Sequence, residues 1–136
     1  MRQVFDSFAG IDNFLVYLSV SLSYLAVFVV LYLRVTPYRE IQLIREGNMA
    51  ASFSLSGSIV GFLIPLASAV QHSVSLVDMA IWGLIAMLVQ IAAFIVAKLL
   101  IPSITDDIPA NKTSAGFFLG CLSLGVGLLN AACMSY

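Results

Sequence analysis

Long runs of uncharged, mostly apolar residues alternate along the chain with short segments that carry nearly all of the charges. Four runs contain no Asp, Glu, Lys or Arg, over 14–33, 48–77, 79–97 and 113–136. A helix needs roughly 20 apolar residues to cross the hydrocarbon core of a bilayer, so each run is long enough. Hydrocarbon cannot pair free backbone groups, and the alternating strands of a membrane barrel are missing, so helices are expected. The pattern predicts an all-α integral membrane protein with four transmembrane helices, over about 13–34, 50–72, 77–99 and 113–135.

Composition narrows the class of protein further. Of 136 residues, 61% are hydrophobic and 10% are charged, whereas a soluble domain carries about a quarter charged residues. The four spans use nearly the whole chain, so residues 1–136 are expected to form a single membrane domain without a soluble catalytic module. The formal net charge of −1 comes without a basic block, so the lipid bilayer is the expected partner and nucleic acid is not.

The basic residues are distributed unevenly between the connections. Five of the six lie in the first and third connections: Arg34, Arg39, Arg45, Lys98 and Lys112. The second connection, over 71–78, contains neither Lys nor Arg. Because cytoplasmic loops of membrane proteins are enriched in basic residues, the first and third connections are assigned to the cytoplasm. Both termini are therefore predicted to be periplasmic.

The first connection has a pattern of its own. It begins with Thr36-Pro37, a helix-start signal, and then interleaves Ile41, Leu43 and Ile44 with charged residues that include Glu40. The pattern predicts a short interfacial helix after the first span. Two aromatic residues near this end, Tyr32 and Tyr38, are interpreted as interfacial anchors.

A weak internal repeat runs through the chain. Asn48-Met49-Ala50-Ala51-Ser52 with Gly57 aligns with Asn111-Lys112-Thr113-Ser114-Ala115 with Gly120. The repeated unit has two helices, over about 12–72 and 77–135. An even number of crossings per unit makes the two copies parallel rather than inverted.

Catalytic, cofactor-binding and metal-binding patterns are not visible. The one histidine, His72, has no accompanying Ser-His-Asp set, metal-spaced His or Cys residues or phosphate-binding glycine loop. We therefore expect no enzymatic activity, no cofactor and no metal site.

Small residues recur at helical spacing on the second and fourth spans. Steps of three and four place them on one face of each helix: Ala50, Ser54, Gly57, Gly61, Pro65 and Ser68 on the second, and Gly116, Gly120, Ser123, Gly127 and Asn130 on the fourth. Such faces let helix backbones approach closely, which is a main source of helix association in lipid. They are predicted to be helix-packing surfaces, and a narrow water-filled conduit is the functional alternative.

Three residues inside the spans could also serve either helix packing or a conduit. Pro65 lacks an N–H and so frees the carbonyl of Gly61 one turn earlier. Gln90 in the third span and Asn130 in the fourth carry polar groups that cannot face lipid without cost. These groups are expected to point into the protein, where they either join helices or meet a solute.

Several of these segments, in this order, resemble the YjfL family of bacterial inner-membrane proteins. They are Thr36-Pro37-Tyr38, Gln42-Leu43-Ile44, Asn48-Met49-Ala50-Ala51-Ser52, Ser56-Gly57, Gly61 with Ile64-Pro65-Leu66, and Asn130-Ala131-Ala132-Cys133-Met134. The resemblance spans essentially the whole chain and implies a four-helix, multi-pass protein of the bacterial inner membrane. Because the function of the family is unknown, the resemblance assigns no catalytic or binding residue.

Two functional interpretations follow from these patterns. In the first, the protein is a non-enzymatic helical bundle that associates with itself or docks on a membrane-protein partner. In the second, it is a channel or transporter that carries a small solute or ion along the small and polar faces of the second and fourth helices. The first is favoured because 136 residues make a bundle too thin to enclose both a core and a pathway.

Overall fold

A computed structural model describes residues 1–134, and over that range the protein is entirely helical. Its helices are α1 (Arg2–Ala9), α2 (Ile11–Val35), α3 (Glu40–Arg45), α4 (Met49–His72), α5 (Leu76–Leu100), α6 (Ile104–Asp107) and α7 (Thr113–Cys133). Four helical segments are long and apolar enough to cross a membrane: Arg2–Val35, Met49–His72, Leu76–Leu100 and Thr113–Cys133. The predicted all-α membrane class is confirmed. Position 135, the predicted end of the fourth span, lies outside the described residues.

The centre of the bundle is formed by α4 and α7, which run parallel and pack against each other along their lengths. Ala50 meets Gly116 near the start of both helices, and Gly61 meets Gly127 further along. Helix α5 packs against both of them. We call the contact surface between α4 and α7 the α4–α7 seam.

Two asparagines fix the end of the bundle at which α4 and α7 begin. Asn48 caps α4, because its Oδ1 accepts from the N–H of Ala51 at 2.8 Å, and its Nδ2 donates to the carbonyl of Ile108 at 3.0 Å. Asn111, in the left-handed region with φ of 58°, accepts from the N–H groups of Met49 and Ala50 at 3.0 and 3.2 Å. The connection before α7 therefore adds a second acceptor to the cap that Asn48 provides for the first turn of α4.

Helix α2 lies at the edge of the bundle. Only 6% of its most apolar 18-residue window is buried, against 44% for α4. Its attachment is largely aromatic: Tyr24 donates a hydrogen bond to the carbonyl of Ala80 at 2.5 Å, and Phe28 stacks on Phe62 with ring centroids 4.4 Å apart. Most of the apolar surface of α2 therefore faces away from the other helices.

The first connection folds differently from its predicted pattern. A short helix, α3, forms, but Glu40 is completely buried rather than on an exposed polar side. Tyr32 and Tyr38 are also buried, so their interpretation as interfacial anchors is wrong. The reason is packing: α3 folds back against α4, and the ring of Tyr32 packs edge-on against Phe94 of α5.

Candidate functional site

The glycines on the predicted small faces lie in the α4–α7 seam. A Cβ added to Gly57 would lie 2.3 Å from the Cα of Gly120, and one added to Gly116 would lie 2.1 Å from the carbonyl oxygen of Ala50. A Cβ on Gly120 would come within 2.5 Å of the carbonyl oxygen of Phe53. At these positions the two backbones touch, so only glycine fits without movement of a helix.

The carbonyl freed by the proline also lies in this seam. Pro65 is fully buried inside α4, and the carbonyl of Gly61 points at α7, where a Cβ on Gly127 would lie 2.0 Å from the Gly61 oxygen. The backbone of Gly127 therefore occupies the space beside the freed carbonyl. A weak Cα–H···O contact is the interaction that this geometry allows.

A short polar chain crosses the middle of the seam. Ser58 donates from its hydroxyl to that of Ser123 at 3.3 Å, and Gln90 of α5 donates from Nε2 to the Ser123 carbonyl at 3.0 Å. All three side chains are buried. Gln90 therefore joins α5 to α7, while its Oε1 has no hydrogen-bond partner among the described residues.

Two predicted site residues lie away from this chain. Ser68 is half-buried, and its carbonyl is 3.0 Å from Nδ1 of His72 within α4. Asn130 is half-buried near the end of α7, where its buried Nδ2 finds no partner in the part of the chain that is described. Neither residue contributes to the contacts between Ser58, Ser123 and Gln90.

A second group of polar residues, not predicted as a site, lies where α2, α3 and α4 meet. It consists of Glu40, Tyr32, Tyr38 and Ser54, which we call the Glu40 cluster. The hydroxyls of Tyr38 and Ser54 lie beside the Glu40 carboxyl, and the Tyr32 hydroxyl is close enough to be influenced by the charge of the Glu40 carboxylate. Glu40, Tyr32 and Ser54 are each 0% exposed and Tyr38 is 8% exposed.

The oxygens of this cluster are poorly paired. Both carboxylate oxygens of Glu40 and the hydroxyls of Tyr32 and Tyr38 form no hydrogen bond of ordinary geometry with any described residue. Ser54 is paired, because its hydroxyl donates to the carbonyl of Ala51 at 3.0 Å. Four buried polar oxygens without partners in one place are unusual for a folded protein.

Burial also changes the acidity of these groups. Loss of hydration disfavours the charged carboxylate and raises the pKa of Glu40 to about 8, although the nearby hydroxyls of Tyr38 and Ser54 act in the opposite direction. Burial likewise raises the pKa of Tyr38, and the neighbouring Glu40 adds to the effect. Arg39 and Arg45 line the adjacent cleft of about 510 Å³, but neither forms an ion pair with Glu40 within the described residues.

Sequence reasoning missed this cluster for an identifiable reason. Glu40 lies in a connection rich in charges, where exposure is the ordinary expectation, and the pattern does not show which side of a six-residue helix faces the bundle. The available signal was the grouping of two tyrosines and a glutamate within nine positions, followed by a serine on the small face of α4.

The helices and the packed seam define the class of this chain as a multi-pass α-helical membrane protein. The family described as Domain of Unknown Function (DUF350) matches residues 6–134, and the chain belongs to it. The resemblance drawn from the sequence motifs is thereby confirmed.

Similar proteins occur in Escherichia coli and Bacillus subtilis. The chain is 37% identical to the UPF0719 inner membrane protein YjfL of Escherichia coli (strain K12) over 123 residues, which cover 90% of this chain and 93% of that protein. It is 28% identical to the UPF0719 transmembrane protein YshE of Bacillus subtilis (strain 168) over 122 residues, which cover 85% and 88% of the two chains. These names agree with the four apolar helices. No solved structure matches the chain.

Proposed function

We propose that this chain is a non-enzymatic protein of the bacterial inner membrane that acts by self-association, with α2 of one copy packing on α2 of another. The observation that carries the proposal is the exposure of α2. Its most apolar window is 6% buried, whereas that of α5 is 39% buried. A span with so few contacts inside its own chain buries the most additional surface when it packs against a helix of another protein.

The exposed surface of α2 has the composition that close helix contact requires. Ser19, Ser23 and Ala26 are all exposed and follow one another at steps of four and three on one face. The Ser23 hydroxyl donates to the carbonyl of Ser19 at 2.8 Å, so its polarity is satisfied within the helix. The step from Ser19 to Ser23 is of the small-xxx-small kind, which supports helix pairing in lipid.

The contacts of the glycines support α2 rather than α4 or α7 as the associating surface. Gly57, Gly61, Gly116, Gly120 and Gly127 already contact the backbone or side chains of another helix of the same chain. Their faces are occupied, whereas the small face of α2 is not. A second copy is the favoured occupant because two identical α2 faces can bury each other in a two-fold arrangement, the commonest symmetry of oligomers.

The same contacts weigh against a conduit along the seam. Solute would need the space that the backbones of Gly61 and Gly127 fill. The polar side chains of Ser58 and Gln90 then serve to join helices, as polar residues commonly do in membrane bundles.

Oligomer mass in mild detergent tests the proposal. Replacing Ser23 by Leu places a bulky side chain on the exposed contact face, so the variant should lose dimer mass and keep its helical content. Ala92→Leu makes a comparable change on an exposed position of α5 and should keep the dimer. A monomeric wild type, or dimers that survive Ser23→Leu, would refute association through α2.

We also propose that both termini are periplasmic and that the bundle arose by duplication of a two-helix unit. The distribution of basic residues supports a cytoplasmic location for the connections after α2 and α5, with periplasmic termini. The parallel course of α4 and α7, and the asparagine before each, support a duplicated two-helix unit within one membrane domain.

A further inference from the structure

We propose that the Glu40 cluster is a buried binding site for one small monovalent metal cation, for which Na⁺ is the probe. The site is built from three parts of the chain: Tyr32 from α2, Tyr38 and Glu40 from the α2–α3 connection and the first residue of α3, and Ser54 from α4. Their oxygens are the only donor type present in it. Hard cations prefer such all-oxygen surroundings.

The first argument is the unpaired state of the oxygens. Glu40 and Tyr32 are fully buried, and Tyr38 nearly so, yet four of their oxygen atoms form no hydrogen bond of ordinary geometry with residues 1–134, although the hydroxyls of Tyr38 and Ser54 lie beside the Glu40 carboxyl. One metal ion at the centre can contact several at once.

The second argument is charge. Removing a carboxylate from water costs several kcal/mol unless an opposite charge or a proton compensates it. No lysine or arginine forms an ion pair with Glu40 in the described part of the chain. Tyr32, Tyr38 and Ser54 are neutral, so the cluster has a charge of −1 once Glu40 has lost its proton, at a pH above its raised pKa of about 8. One monovalent cation balances that charge.

The donor set argues against other metals. Calcium sites use six to eight oxygens, commonly from several carboxylates, and the cluster has a single carboxylate. No group of three or more His, Cys, Asp or Glu residues that could hold a metal occurs among the described residues. A divalent or transition metal therefore has too few charged or nitrogen and sulfur ligands here.

A route to the site is present. Tyr38 and Glu40 form part of the wall of the cleft of about 510 Å³ at the end of α2, together with Thr36 and Gln42. The Arg39 and Arg45 guanidinium groups also line this cleft, so their positive charges slow the arrival of a cation. We therefore expect slow but saturable binding.

The test is binding of radioactive Na⁺ to the purified full-length protein in detergent, at mildly alkaline pH and constant ionic strength maintained with choline chloride. Wild type should bind about one Na⁺ per chain. Glu40→Gln keeps the shape but removes the charge and should weaken binding at least about tenfold, and Tyr38→Phe should weaken it less. Glu46→Gln removes an exposed charge just beyond α3 and should bind as wild type does.

Helical content measured by circular dichroism shows whether each variant is folded. The thermal midpoint of wild type should rise with NaCl and not with choline chloride, because a ligand that binds only the folded state stabilises it. Absence of saturable Na⁺ binding by wild type would overturn the proposal. Equal binding by folded Glu40→Gln would overturn it as well, and a midpoint that depends on pH but not on Na⁺ would identify a proton site instead.

Discussion

At the scale of single residues, glycines of this chain differ in whether a side chain would fit. A Cβ on Gly61 would lie 2.3 Å from the Ser123 carbonyl oxygen and 2.0 Å from Nε2 of Gln90. One of these atoms belongs to a backbone and cannot turn aside. Gly125 lies on the same helix as Gly127, but a Cβ there meets no described atom within 4 Å. A glycine within a span is therefore not always a residue at which two helices pack closely.

We expect Gly61→Ala to destabilise the protein and Gly125→Ala to leave its stability unchanged or slightly higher. Overpacking typically costs about 1 to 3 kcal/mol, whereas alanine is the better helix former by about 1 kcal/mol where space is free. Thermal unfolding in detergent measures both effects. Similar midpoints for the two variants would show that the helices of the seam are not in backbone contact.

At the scale of helices and connections, α4 and α7 depend on each other through more than the seam. The side chain of Asn111, which precedes α7, pairs with the first two N–H groups of α4. Asn48 in turn donates to the carbonyls of Ile108 and Pro109 at 3.0 and 3.3 Å. The start of α4 thus holds the connection that leads to α7, and that connection in turn pairs with the first turn of α4.

Asn111→Ala should destabilise the protein for two reasons. It removes the acceptor for α4, and at a φ of 58° alanine is less favourable than asparagine, which tolerates the left-handed region. Loss of a helix cap costs about 0.5 to 2 kcal/mol. Asn111→Asp keeps an oxygen at the same place and should retain most of the stability. Comparing the thermal midpoints of the two variants in detergent checks this, and equal losses in both would contradict the capping role.

The seam should also be dry. In a background without Cys121 and Cys133, cysteines at Ser58 and Ser123 should react slowly with small membrane-impermeant thiol reagents, because both positions are buried. A cysteine at Val74, which is 87% exposed between α4 and α5, is the reactive control. Labelling of Ser58→Cys as fast as Val74→Cys in folded protein would favour a conduit.

Much of this architecture could be predicted from the sequence, because membrane spans depend on local composition. The uncharged runs correspond to α2, α4, α5 and α7, and the small residues on α4 and α7 lie where those helices meet. The burial of Glu40 and the capping of α4 by Asn111 depend on which elements pack together, and no local pattern encodes that. The glycine spacing likewise does not show whether the matching surface belongs to the same chain or another.

At the scale of the whole molecule, orientation in the membrane can be measured in intact cells. We expect an introduced cysteine at Val74 to react with an impermeant maleimide from outside, because the α4–α5 connection carries no basic residue. A cysteine at Glu46, exposed after α3, should react only after the membrane is permeabilised. The reverse pattern would overturn the periplasmic placement of the termini.

Self-association through the exposed face of α2 can be tested by cross-linking in native membranes. With Cys121 and Cys133 removed, Ser23→Cys lies on the exposed small face of α2, and Ala92→Cys lies on an exposed face of α5. Mild oxidation should convert Ser23→Cys largely to disulfide-linked dimers and leave Ala92→Cys monomeric. Dimers formed by Ala92→Cys alone, or by neither variant, would contradict self-association through α2.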